Sequence, residues 1–158
     1  MSTPPPPARK PRLTGASRRV AYSENPDVAC PIGSGATFID NAYNVSVDTN
    51  IGEIETTAFG DYPYGTAEPG FITKNISLSM RKQAGAADLA FLTSRAESRE
   101  PFRIAVLDTR NAGTTGWDMA VVVTQITDSG DFQSAQDLAV TLALAPSALP
   151  PKRIGGTP

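Results

Sequence analysis

The chain contains no histidine, one cysteine and one tryptophan among its 158 residues. The missing histidine excludes Ser-His-Asp and Cys-His nucleophile systems, imidazole acid-base catalysis and histidine-based metal sites. Cys30 cannot form an intramolecular disulfide, which is consistent with folding in a reducing compartment. Because no second thiol or base accompanies it, Cys30 is interpreted as a buried or tolerated thiol and not as a nucleophile.

Aromatic residues are scarce as well, at 7% of the chain, which weakens the case for an enzyme that uses carboxylates. Glu53 and Glu55 would share one strand face, and Asp128 and Asp131 flank a turn signal. Glycosidases use two carboxylates, but usually among aromatic sugar platforms, and Trp117 is the only tryptophan. The two pairs are therefore interpreted as a solvated strand edge and ordinary turn residues.

Glycine-rich stretches are the remaining candidates for a ligand site. GSGAT at 33–37 and NAGTTG at 111–116 lack the strand-to-helix context and the lysine of a phosphate-binding loop. DSGD at 128–131 lacks the further oxygen ligands of a calcium loop. The sequence predicts a protein that is not an enzyme and has no cofactor and no metal.

Long hydrophobic runs are also missing. Apolar stretches such as MAVVV, from Met119 to Val123, are far shorter than the roughly 18 to 20 residues that span a bilayer. The N-terminal residues lack the apolar segment of a signal peptide. The sequence therefore predicts no membrane anchor and no export by that route.

Charge is distributed unevenly along the chain. Residues 1–20 hold five basic residues and no acid, whereas residues 21–149 hold seven basic and sixteen acidic residues, a net charge of −9. An acidic body argues against phosphate-backbone binding, which depends on lysine and arginine. The leader, residues 1–19, is rich in proline and basic residues and is typical of a flexible, solvated tail.

The first half of the body has the period-two patterns of β-strands. Residues 36–49 predict a half-buried strand, Asn50–Gly52 a turn, and residues 53–59 the return strand of a hairpin. Glycines and prolines in residues 59–70 predict a long loop. In residues 71–82, isoleucine, leucine and methionine alternate with threonine, asparagine and serine, which predicts a further strand.

The second half adds one helix and the closing strands. Residues 86–98 predict a helix that ends before Pro101. Strands are predicted from Phe102, through residues 117–127 and across residues 138–144. The result is six or seven mostly antiparallel strands with one helix, in a single domain of residues 20–150 that forms a β-sandwich or partly rolled barrel. The residues after Pro146 are expected to leave the sheet, and residues 151–158 to form a C-terminal tail.

The loop at residues 59–70 carries the most suggestive surface groups. Phe59, Tyr62, Pro63 and Tyr64 lie on a connector, where aromatic side chains must either fold back or dock on a neighbour.

Three segments resemble the major tail tube proteins of long-tailed bacteriophages, and together the likeness covers residues 36–150. In TAFGDYPYGTAEPGFITKNISLSM a glycine-rich loop feeds an alternating strand, and in WDMAVVVTQITDSGD the penultimate strand runs into a turn. VTLALAPSALPPKRI is the closing strand with its proline-containing tail.

The resemblance implies a structural virion subunit whose sheet continues between subunits into a ring, commonly a hexamer, with stacked rings forming the channel for DNA ejection. The implied partners are other copies of the chain, tape measure, tip and terminator proteins, and DNA that passes without specific binding. The implied location is the virion tail, assembled in the host bacterial cytoplasm. In such a tube, Phe59, Tyr62, Pro63 and Tyr64 become candidate contacts between rings.

Two other functions stay open. A carbohydrate- or receptor-binding β-sandwich module would bind its ligand through the aromatic loop at residues 59–70. A minor tail-tip or terminator ring protein would share much of the tube fold.

Overall fold

The computed structural model describes residues 18–55, 67–109, 114–130 and 136–155. These residues form eight strands and one helix in chain order. The elements are β1 (Arg19–Ser23), β2 (Thr37–Phe38), β3 (Ala42–Glu55), β4 (Ala67–Arg81), α1 (Ala87–Ser98), β5 (Phe102–Leu107), β6 (Gly116–Ser129), β7 (Asp137–Leu144) and β8 (Lys152–Ile154).

All eight strands belong to one antiparallel sheet with the order β2-β1-β5-β6-β7-β4-β3, and β8 pairs with β6. The predicted fold class, mainly β with one helix in a sandwich or partly rolled barrel, is confirmed. The expectation that the chain leaves the sheet after Pro146 is wrong for Lys152–Ile154. These three residues return to the first three residues of β6, on the opposite side from β5.

The main core lies on the face of the sheet that α1 covers. Ile76, Leu78 and Met80 of β4 are buried there, as the alternation predicts, and so are Leu138, Val140 and Leu142 of β7. The predicted helix at residues 86–98 is confirmed as α1, which buries Leu92. It ends at Ser98, and the next residue, Arg99, has a φ of 56° and so leaves the helical region just before Pro101.

A second, smaller core lies on the opposite face. Ala21, Cys30, Ala105 and Leu107 form it, with Phe38 and Ile154 packed against them. Every residue of β5 is consequently buried, because the strand is covered on both faces.

The predicted hairpin turn at Asn50–Gly52 is wrong. These residues lie inside β3, which pairs with β4 through Glu55. The predicted loop at residues 59–70 also ends earlier than expected, because β4 begins at Ala67. Tyr43 is exposed, although it has the parity of buried Val45, because the register shifts between Ala42 and Asn44 and makes Tyr43 the extra residue.

No helix in the described part of the chain is both long enough and apolar enough to cross a membrane.

Candidate assembly surface

A two-stranded arm extends beyond the body of the sheet. β4 pairs with β7 only over Asn75–Arg81, so residues 67–74 are paired with β3 alone. We call residues 49–55 and 67–74 the arm. Eight residues in extended conformation measure roughly 25 Å, so the arm reaches well past the core.

Exposed apolar side chains are concentrated on this arm. Ile51 and Ile72 are direct cross-strand partners, and they are 54% and 58% exposed. Ile54 is 52% exposed and Phe71 is 88% exposed. Ile51 and Ile72 share one face of the arm and Phe71 lies on the other, and exposed apolar residues on both faces of a projecting element are typical of a protein-binding surface.

Ile72 shows why the sequence pattern alone misplaces these groups. It has the same parity as Lys74 and Ile76, so alternation predicts that it is buried. β7 ends at Leu144, however, and its pairing with β4 extends only to Asn75. The core-facing side of β4 therefore extends beyond the core, and Ile72 lies on the part that the core does not cover.

A buried lysine anchors the root of the arm. Lys74 is only 7% exposed, and its Nζ donates a hydrogen bond to Thr49 Oγ1 at 2.8 Å. The same Nζ lies 3.7 Å from the centre of the Trp117 ring, and the Arg153 guanidinium lies 5.8 Å from that centre. Burial, and secondarily the charge of Arg153, lower the pKa of Lys74. The arm thus leaves the body from a fixed, packed base.

Two strand edges are unpaired among the described strands. The side of β3 that faces away from β4 pairs with none of the described strands. On the β5 side of β6, pairing stops at Val121, so Val122–Ser129 has no partner there among the described strands. Free edges of this length are templates for pairing with another chain.

A buried ion pair lies on the face of the sheet opposite α1. Arg103 is completely buried, and its Nε donates to Asp118 Oδ1 at 2.8 Å. The guanidinium also donates to the carbonyls of Pro26 at 3.1 Å, Leu149 at 2.7 Å and Pro150 at 3.3 Å. The Arg103 guanidinium therefore connects the sheet to two loops, the loop that precedes β2 and the loop that follows β7.

The chemical groups singled out in the sequence do not form a reactive cluster among the described residues, where no group of three possible metal ligands is found. Burial, and secondarily Asp118, raise the pKa of the Cys30 thiol to about 12, so the thiol stays protonated. Asp128 accepts a hydrogen bond from Lys82. The side chains of Glu55 and Asp131 lie outside the described residues. The shared strand face of Glu53 and Glu55 and the turn flanked by Asp128 and Asp131 therefore stay predictions.

The four predicted contact residues, Phe59, Tyr62, Pro63 and Tyr64, also lie outside the described residues. They belong to the segment that connects β3 to β4 in the sequence. Sequence reasoning missed the exposed residues of the arm itself, above all Ile51 and Phe71. A usable signal existed, since Phe71 and Ile72 are adjacent apolar residues in an otherwise alternating segment.

No family model and no curated protein matches the chain. Among solved structures it is similar to the SPP1 tail tube, with a TM-score of 0.67 and 11% identity over 92% of this chain and 80% of that chain. It is also similar to the tail of an empty gene transfer agent particle, determined with C6 symmetry. The TM-score is 0.65 and the identity is 13%, over 85% of this chain and 96% of that chain. A third similar structure is the sheath-tube complex of an extracellular contractile injection system, PVC in its extended state. The TM-score is 0.60 and the identity is 17%, over 85% of this chain and 88% of that chain. The described residues therefore have the tail tube fold.

Proposed function

We propose that this chain, which has the tail tube fold, is a structural subunit that closes into rings and stacks into a tube for the passage of DNA. The observation that carries the proposal is the arm. It projects beyond the core with Ile51, Ile54, Phe71 and Ile72 exposed, and a second copy supplies the apolar surface that would cover them.

Lateral closure is supported by the open edges of the sheet. β3 offers one edge, and Val122–Ser129 of β6 offers another. Pairing between such edges in successive copies is a head-to-tail contact, which closes into a ring when the rotation is right. A closed barrel of many strands leaves a water-filled channel and removes the exposed edges. The C6 symmetry of the gene transfer agent tail supports six copies per ring.

The charge of the body suits a conduit. Residues 21–149 carry a net charge of −9, and a lumen that shares the sign of DNA repels the passing molecule and prevents adhesion. The proposal accordingly includes no specific DNA site and no enzymatic activity. It places the protein in a virion tail assembled in the bacterial cytoplasm, with tape measure, tip and terminator proteins as its other partners.

A terminating ring is the second candidate. The chain is also similar to the tube-terminating cap of the anti-feeding prophage, with a TM-score of 0.63 and 17% identity over 94% of this chain and 95% of that chain. A tube subunit stacks repeatedly, whereas a terminator forms one ring that stops growth. The length of the assembled particles distinguishes the two.

Negative-stain electron microscopy of the purified full chain over a range of concentrations tests the proposal. We expect rings at low concentration and hollow tubes at high concentration. Single rings that never stack would favour the terminator. A protein that stays monomeric at every concentration, with and without tail-assembly partners, would refute both.

Replacing Phe71 and Ile72 together with serine tests the role of the arm. We expect tube formation to be lost while the unfolding curve of the monomer is unchanged, because both side chains are exposed in the monomer. The matched control replaces Val28 and Ile32 with serine, since these exposed apolar residues lie in a loop away from the arm. Equal loss in both variants would remove the arm from the proposal.

A further inference from the structure

An open groove lies between the start of α1 and the edge strand β2. It consists of two adjoining depressions of about 500 and 610 Å³ that share Tyr22, Thr37 and Ala87 as lining residues. The groove is separate from the arm, and the assembly surface described above makes no use of it.

The floor of the groove is aromatic and rigid. The Tyr22 ring stacks on the Phe91 ring with centroids 4.5 Å apart, and Phe91 meets Phe102 edge to face at 5.2 Å. Phe102 is completely buried in the main core, whereas Tyr22 and Phe91 are partly exposed. The core therefore holds two aromatic rings in a fixed orientation at the surface.

The walls of the groove carry negative charge. Glu24, Asp40 and Asp88 line it. Two arginines contact lining residues: Arg19 pairs with Asp40 at 3.7 Å, and the Arg95 guanidinium lies 5.2 Å from the centre of the Phe91 ring. Asp88 is buried, and its carboxylate accepts hydrogen bonds from the Leu89 amide at 2.9 Å and the Asn41 side chain at 3.4 Å. Neither Glu24 nor Asp88 forms an ion pair with any cation in the described part of the chain.

The leader of the chain has the complementary chemistry. Residues 4–12 read PPPPARKPR, with four successive prolines followed by Arg9, Lys10 and Arg12 and no acid. Consecutive prolines favour the polyproline II helix, which aromatic-lined grooves recognise at low entropic cost. Three cations close together suit a groove with three carboxylates, of which only Asp40 has an ion-pair partner among the described residues.

We propose that residues 4–12 of the leader bind in this groove of their own chain, with the prolines on Tyr22 and Phe91 and the basic residues beside Glu24, Asp40 and Asp88. The proposal does not depend on the tube function, because it concerns a single copy of the protein.

The position of Arg18 and Arg19 favours binding within one chain. Arg19 forms an ion pair with Asp40 at 3.7 Å, so the chain already contacts the rim of the groove where the described residues begin. Arg18 lines a small cavity that Asp40 also borders. Residues 13–17 can span up to about 17 Å, compared with roughly 13 Å of extended chain between residue 18 and Tyr22.

Photo-cross-linking of the full chain tests the proposal. Pro5 is replaced with p-benzoylphenylalanine, and the cross-linked peptides are identified by mass spectrometry in a mixture of isotope-labelled and unlabelled protein. We expect cross-links to the segments that contain Tyr22 and Phe91, within one isotopic form. Cross-links to the groove of another copy, or to sites outside the groove, would overturn the proposal.

Charge variants test whether recognition is electrostatic. Glu24→Gln combined with Asp40→Asn changes only exposed carboxylates and is expected to lower the cross-linking yield about fivefold. The matched control, Glu97→Gln combined with Glu100→Gln, removes two exposed carboxylates of α1 and its C-terminal flank that do not line the groove. An equal yield in the two double variants would also overturn the proposal.

Discussion

A single guanidinium, that of Arg103, connects the sheet to both loops that cover its second face. Arg103→Met keeps much of the side-chain volume but leaves the Asp118 carboxylate buried without a cation. The free energy of unfolding is expected to fall by about 3–5 kcal/mol, measured by urea denaturation. Arg95→Met is the control, because its ion pair with Glu100 is exposed on one side and should contribute below about 1 kcal/mol. Similar losses in the two variants would contradict the role given to Arg103.

The importance of Arg103 was not predicted, because an arginine inside a strand is normally assigned to the solvent face. The neighbouring residues carried a usable signal. Phe102, Ile104, Ala105 and Val106 are apolar on both parities, which is typical of a strand covered on both faces. An arginine in such a strand must be buried and must find acceptors, yet nothing in the pattern identifies Asp118 or the loop carbonyls as those acceptors.

The protonated state of Cys30 is a second prediction at the scale of one residue. The thiolate is the reacting species, and burial beside Asp118 raises the thiol pKa from the ordinary value of 9.0 to about 12. At pH 8 the folded protein should react with a disulfide reagent about a thousandfold more slowly than the urea-unfolded chain, because each pKa unit changes the thiolate fraction tenfold. The rate should then rise with pH until about pH 12. A folded protein that reacts as fast as the unfolded chain at pH 8 would contradict the assignment.

At the scale of elements, the helix and the core strands follow from periodicity, whereas the arm does not. α1 and the buried parts of β4 and β7 show clear patterns, since one face of each packs on the core. The sequence predicts a turn at Asn50–Gly52, inside β3, because this triplet has turn composition. The backbone pairing of Thr49–Ile51 with Ile72–Lys74 overrides that local preference. Tertiary pairing of this kind leaves no local trace in the sequence.

Lys74 provides a test of how the arm is anchored. Burial lowers its pKa, so the charged form is less favourable in the folded protein than in the unfolded chain. Lys74→Met keeps an unbranched apolar side chain at this buried position and removes the charge, so it is expected to raise the free energy of unfolding at pH 7. The gain should shrink as the pH approaches 10.5, where the wild-type lysine also loses its charge. Lys74→Ala removes the packing and should destabilise at every pH, and a destabilised Lys74→Met at pH 7 would contradict the reasoning.

At the scale of the whole molecule, the order of the strands determines which surfaces stay open. Pairing of β1 with β5 and of β4 with β7 joins segments far apart in the sequence, so strand order could not be predicted from local patterns. The order places β3 at one edge and leaves the second half of β6 unpaired on one side among the described strands. The likeness of the sequence to tail tube proteins predicted the architecture more fully than periodicity did.

Charge balance governs how readily whole molecules approach one another. The chain has a net charge of −2, because the basic leader together with Lys152 and Arg153 offsets most of the charge of the acidic body. The triple variant Arg9→Gln, Lys10→Gln and Arg12→Gln removes three positive charges, so the repulsion between copies increases. At about 0.01 M salt we expect the triple variant to need a higher protein concentration than wild type for tube formation, as measured by light scattering. The difference should vanish near 1 M salt, where the Debye length falls to about 3 Å. Glu97→Gln with Glu100→Gln should lower the protein concentration needed for tube formation, because it removes two negative charges. If neither variant changes this concentration, short-range contacts alone determine assembly.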